Sequence, residues 1–180
     1  MMYSYSECIN KYGSDYQIKK AIKKGDLFQI DKGIYSDKKY CSEKDVIAAK
    51  YPDAVYTGES AFYYHGLSDV IPDIHILATK RSGTRIHDKA VHQVYIKDDI
   101  FDMGITSMDS DGTTIRIYNP ERMLIELIRF RNRIPFDYYK EVIGNYRRRI
   151  DSLDFMKIEE YTSGIKGGSK ILDSIQMEVL

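Results

Sequence analysis

The chain carries few residues whose types and spacing suit bond-making chemistry. Pro72-Asp73, followed by an alternating apolar run that ends at Lys80, outlines the set used for metal-dependent phosphodiester cleavage. That chemistry needs two carboxylates on adjacent structure to hold a divalent cation, with a lysine to stabilise developing charge or activate water. The position two before Lys80 is Ala78, so the second carboxylate is absent and Asp73 alone cannot hold a catalytic cation. Glu121 and Glu126 fall on different faces of one helix and make no acid–base pair. The histidines, His65, His75, His87 and His92, show no HExxH-like spacing and read as structural or surface residues. Gly164-Ile165-Lys166-Gly167-Gly168-Ser169 is glycine-rich without the phosphate-loop pattern. No catalytic residue, metal ligand set or cofactor is assigned, and the chain is read as a non-enzyme.

A binding chemistry is better represented. In Ser14 to Ser36, Ile18, Ala21 and Ile22 recur at helical spacing and form one apolar stripe. Tyr16, Gln17, Lys19, Lys20, Lys23 and Lys24 project from the other side. Ser14 and Gln17 have capping-box spacing, and Gly25 suits the position just past the helix end. The run LFQI, DKG, IYS then predicts strand, turn, strand. A lysine-faced helix followed by a hairpin is the outline of a winged helix-turn-helix, with the helix in the major groove and the wing at the backbone. Lysines there position the protein on phosphates. Gln17 is the candidate base reader, because an amide pairs bidentately with adenine. Lys32 and Tyr35 are the expected contacts from the wing. The alternative reading of the same lysines is a plain solvated face.

Composition limits the partners. The 180 residues hold 27 basic and 27 acidic side chains, so any nucleic-acid surface must be local. Residues 1–40 contain eight lysines against five acids, whereas residues 98–111 contain five aspartates and no base. The latter reads as a solvated loop or as a surface for a basic partner. Cys8 and Cys41 have no metal spacing and read as reduced thiols. The N-terminus lacks a signal-peptide pattern and no apolar run is long enough to span a membrane, so a cytoplasmic protein is expected. Sixteen tyrosines and no tryptophan fit an AT-rich coding background, which leaves individual tyrosines uninformative.

The elements that would position these residues follow. Residues 4–12 form a first short helix, Gly13 a turn, and the lysine helix comes next. Little room is left before Ser4 for the third helix of a full winged helix, so the module is expected to be truncated. SDKKYCS reads as a junction, dividing a winged helix-turn-helix at 1–40 from a mixed α/β domain at 41–180. The second domain opens with a helix from Ser42 to Lys50 and a short buried strand over 54–57. An aromatic helix stopped at Gly66 and strands over 74–78 and 91–96 follow. SMDS, DG and TTIRIY predict a hairpin with a two-residue turn. Asn119-Pro120-Glu121 starts a helix whose Met123, Leu124, Leu127 and Ile128 form a core stripe. Helices over 135–150, 152–163 and 169–180 complete an α+β chain with a helical C-terminal third. Arg147, Arg148 and Arg149 either complement a helix dipole or supply secondary phosphate contacts.

Three segments together carry a family resemblance: KGDLFQIDKGIYS (24–36), YPDAVYTGESAFYYHGLSDVIPDIHILAT (51–79) and IYNPERMLIELIR (117–129). In this order they resemble the AbiEi antitoxins of type IV toxin–antitoxin and abortive-infection systems. The resemblance implies an N-terminal winged helix that represses its own operon and a C-terminal antitoxin domain. It implies as partners an operator, expected to be an inverted repeat bound by a homodimer or paired monomers, and an AbiEii-like nucleotidyltransferase toxin. The competing expectations are a protein-interaction module without DNA binding, and a nuclease relative.

Overall fold

A computed structural model describes residues 1–180 and shows an α+β chain divided into two compact units. The first comprises Met1–Asp53 with Asp111–Thr114; the second comprises Ala54–Ser110 with Ile115–Leu180.

In the first unit, β1 (Met2–Ser4) runs directly into α1 (Tyr5–Tyr12), whose start is closed by a capping box between Ser4 and Glu7. Gly13, at φ 83°, ends α1 in the left-handed conformation that a side chain would resist. Ser14 caps α2 (Asp15–Lys24), followed by β2 (Phe28–Asp31) and β3 (Ile34–Ser36). The three strands form a sheet in the order β1-β3-β2, antiparallel throughout. Cys8, Ile18, Ala21, Leu27 and Tyr35 make the core of this unit, with Tyr3, Ile9, Tyr12 and Ile22 packed around them.

Two sequence expectations change here. The expected boundary at residue 40 lies inside the first unit, because α3 (Glu43–Lys50) packs on β1 and β3 and buries Ile47. No helix precedes α1, as expected, and the helix that follows the hairpin, α3, packs on the strands. The strand Met2–Ser4 was not anticipated; three residues are too short to show an alternating pattern.

The second unit is built on a five-stranded sheet in the order β6-β5-β4-β8-β7. Its elements are β4 (Val55–Tyr56), α4 (Gly58–Tyr64), β5 (His75–Lys80), β6 (Val91–Ile96), α5 (Asp98–Phe101), β7 (Ile105–Ser110) and β8 (Thr113–Tyr118). Four helices follow: α6 (Pro120–Phe130), α7 (Phe136–Arg148), α8 (Phe155–Ser163) and α9 (Gly168–Val179). Asp111 and Gly112 both have positive φ, 52° and 80°, as the predicted two-residue turn between β7 and β8 requires. Helix α6 is buried continuously from Glu121 to Ile128 and packs against α4, α8 and α9. Asn119 caps it through Oδ1, which accepts from the Arg122 amide at 2.9 Å.

Residues 98–111 are not a solvated loop. They contain α5, which buries Phe101, and β7. Asp98 accepts hydrogen bonds from Ser82, and Asp102 lies 3.1 Å from Lys80. All five aspartates of the segment are nevertheless exposed. No helix is long and apolar enough to cross a membrane.

Candidate nucleic-acid interface

Helix α2 separates its two faces as the sequence predicts. Ile18 and Ala21 are buried, while Tyr16, Gln17, Lys19, Lys20, Lys23 and Lys24 are exposed. Tyr16, Lys20 and Lys23 recur at i, i+4 and i+7 and so form one row. Tyr16 is 72% exposed, and the Gln17 side chain makes no hydrogen bond within the protein. Lys19 is engaged: its Nζ lies 2.7 Å from Asp15 one turn earlier, which raises the lysine pKa. The free cations on this face are thus Lys20, Lys23 and Lys24. The last two also complement the C-terminal dipole of α2.

The wing contributes less than expected. Lys32 is exposed at the turn between β2 and β3, its amide bonded to Asp31 Oδ1 at 2.6 Å. Tyr35 is only 7% exposed and belongs to the core, where burial pushes its phenol pKa up. It cannot contact DNA from that position. The central strand β3 is contacted by both α1 and α3, and Ile34, Tyr35 and Ser36 are all buried although their side chains alternate between its faces. A short strand read without its neighbours does not reveal this.

Arg147, Arg148 and Arg149 are exposed, but each guanidinium has a partner within the second unit. Arg147 Nε donates to the Glu178 carbonyl at 2.6 Å, in the last turn of α9. Arg149 Nη1 donates to the His65 carbonyl at 2.7 Å, at the end of α4. Arg148 Nη1 bonds Asn145 Oδ1 at 2.7 Å. Arg147 and Arg149 therefore satisfy carbonyls at the C-terminal ends of other helices, rather than serving only the dipole of α7.

A basic cleft of about 580 Å³ that sequence spacing did not reveal lies on the second unit, lined by Arg81, Gly83, Arg85, Tyr95 and Lys97. Its loop follows β5, and Gln93 holds it in place. The Gln93 amide donates to Thr84 O and Thr79 Oγ1, and its oxygen accepts from the Ile86 amide. Parallel pairing of β5 and β6 brings Arg81 beside Lys97. Arg81 and Arg85 are four residues apart, but Lys97 lies twelve residues further on, so only the β5–β6 pairing brings it to them.

The motifs of the second unit are structural in their contacts. His65 lies 2.7 Å from the Tyr118 carbonyl through Nε2, and burial lowers its pKa. Gly66 has φ 63°, and a side chain there would press on Arg149. Leu67 O accepts from Asn145, and Ser68 donates to Glu141, so HGLS is fastened to α7. Glu121 Oε1 accepts from the Asp154 amide at 3.0 Å. Asp73 is exposed, Lys80 is paired with Asp102, and no three His, Cys, Asp or Glu side chains are placed to hold a metal.

The sequence matches no protein-family model and no curated protein.

Proposed function

We propose that this chain is an AbiEi-like antitoxin and autorepressor without catalytic activity, which binds operator DNA through its first unit. The observation that carries the proposal is the order β1-α1-α2-β2-β3 with sheet order β1-β3-β2 and an exposed, lysine-bearing face on α2. A helix placed immediately before a two-stranded wing is the geometry that enters a major groove. Tyr16, Gln17, Lys20, Lys23 and Lys24 would meet the DNA, with Lys32 at the flanking backbone. The resemblance of residues 24–36, 51–79 and 117–129 to the AbiEi antitoxins supplies the antitoxin half of the reading. An exposed apolar loop supports it: Val70 and Ile71 are 51% and 71% exposed, as a protein-docking surface would be.

A gel shift on the chain's own upstream DNA tests the first half. Binding should weaken steeply with salt, and Lys20→Glu/Lys23→Glu should abolish it. Retention of full affinity by that variant would refute the groove assignment. Co-expression with the neighbouring nucleotidyltransferase-like gene tests the second half. Protection lost in Ile71→Asp, with folding intact, is the expected result, and unchanged protection would remove this loop from the docking surface.

A further inference from the structure

The basic cleft of the second unit, lined by Arg81, Gly83, Arg85, Tyr95 and Lys97, is built on one face of the β5–β6 pair. Parallel pairing sets Thr79 beside Tyr95, and residues two apart along a strand share a face, about 6.6 Å from each other. Tyr95 and Lys97 therefore lie on one face with Thr79 and Arg81. The Gln93 amide, which donates to Thr79 Oγ1 at 2.7 Å, marks that common face. The Arg81 amide donates to Ile96 O at 2.7 Å and carries the ladder one residue past β5, which holds Arg81 next to Lys97.

The third cation comes from the loop. Gly83 N donates to Lys80 O at 2.9 Å and turns the chain back; a Cβ there would meet the same carbonyl oxygen at 3.0 Å. Gln93 then holds the residues on both sides of Arg85. It donates to Thr84 O at 3.0 Å and accepts from the Ile86 amide at 2.7 Å. The backbone at Arg85 is thus fixed before a ligand arrives, which lowers the ordering cost of binding.

Charge and ring together narrow the ligand. No acid lines the cleft, and Arg81, Arg85 and Lys97 have no carboxylate partner. The nearest acids along the chain are committed locally: Asp88 accepts from the Ala90 amide, and Asp98 accepts from the amide and hydroxyl of Ser82. Tyr95 is 47% exposed, and its ring contacts no other ring or cation of the chain. Unpaired cations around a bare aromatic face suit a ligand that carries both phosphates and accessible flat rings. A duplex keeps its base faces stacked inside, and an acidic peptide would leave the ring unused. We infer that this cleft binds single-stranded nucleic acid, with a base stacked on Tyr95 and the adjoining phosphates on Arg81, Arg85 and Lys97. The site is separate from α2 and does not depend on operator binding.

Fluorescence anisotropy of the full chain with labelled oligo(dT) and oligo(U) of about 12 nucleotides tests this. The side chains to be replaced are all exposed, so folding should be intact. At least one of the two strands should bind. Tyr95→Ala should weaken that binding about tenfold, the loss of one stacked base, and Tyr95→Phe should preserve it. Arg81→Ala/Arg85→Ala should reduce the slope of log K against log salt by about 1.4. Lys20→Glu/Lys23→Glu, which removes two cations from α2, should leave strand binding unchanged. In that variant a duplex of equal length should bind about tenfold more weakly than the strand, or worse. Full strand binding by Tyr95→Ala, an unchanged salt slope, or loss of strand binding in Lys20→Glu/Lys23→Glu would overturn the proposal. Equal binding of the duplex or of oligoglutamate would overturn it too, as would no strand binding at about 100 μM chain.

Discussion

Arg122 and Glu126 form an ion pair one helical turn apart, 2.7 Å between Nη2 and Oε1, at the centre of the second unit. Arg122 is completely buried and lies over the Tyr118 ring at 5.1 Å. Its Nη1 donates to the Ile100 carbonyl at 3.1 Å, while Nε and Nη2 lack aligned hydrogen-bond acceptors. The pair fastens α6 to the segment that carries α5.

Removing half of this pair should be far worse than removing both halves. Glu126→Leu leaves the fully buried Arg122 guanidinium without a counter-ion and should cost about 3–5 kcal/mol, the range for breaking a buried ion pair, whereas after Arg122→Met the carboxylate would keep Arg129. Arg122→Met/Glu126→Leu should recover most of that loss. Urea denaturation of the two variants measures the difference. A loss below about 1 kcal/mol in Glu126→Leu would show that solvent reaches the guanidinium.

The two glycines that open α9 should respond differently to alanine. Gly167 has φ 79° with open space around its missing side chain, so Gly167→Ala should cost about 1–2 kcal/mol of backbone strain. At Gly168 an added Cβ would fall 1.8 Å from the Thr162 carbonyl oxygen, which belongs to the backbone of α8. Gly168→Ala must push α8 and α9 apart and should cost more than Gly167→Ala, about 3 kcal/mol or above. Thermal unfolding of both variants gives the order, and a reversed order would contradict the packing of these helices.

Tyr16 and Tyr35 should separate binding from stability. Tyr16→Ala should leave unfolding unchanged and weaken operator binding. Tyr35→Ala should cost about 3–5 kcal/mol, as large-to-small aromatic substitutions in a core do, and should affect DNA only through folding. Measuring both properties on both variants is decisive. A stable Tyr35→Ala with lost DNA binding would restore the wing contact that its burial excludes.

Stability should also depend on pH through His65. Its folded-state pKa is lowered from 6.5, first by burial, with Arg149 acting in the same direction; the Tyr118 carbonyl and Glu121 oppose this. A histidine with a depressed pKa takes up its proton more readily when unfolded. Its contribution is therefore complete above about pH 6.5 and is lost as pH falls below that value, until the folded-state pKa is passed. The carboxylates with lowered pKa, such as Asp45 and Asp154, lose their contribution only at more acidic pH. Unfolding curves between pH 7 and 5 should show the decline, and His65→Gln should flatten it. An unchanged slope in the variant would assign the effect elsewhere.

Local signals were sufficient for most of the elements. Ser14 and Gly25 bracket α2, Asp111-Gly112 makes the hairpin turn, and Asn119-Pro120 starts α6, because capping and positive φ depend on residues close in sequence. The exposure of Tyr16, Lys20 and Lys23 follows from the same 3.6-residue period that buries Ile18 and Ala21. Tertiary structure decided what depends on distant neighbours. Tyr35 is buried because Cys8 of α1 and Ile18 and Ala21 of α2 pack with it, and α3 joins the first unit because β1 and β3 offer it a surface. Arg147 and Arg149 are occupied by the ends of α9 and α4, far away in sequence. The Arg81–Lys97 cleft and the unpartnered Glu126 oxygen come from sheet order and helix packing, in which long-range contacts carry no periodic trace along the chain.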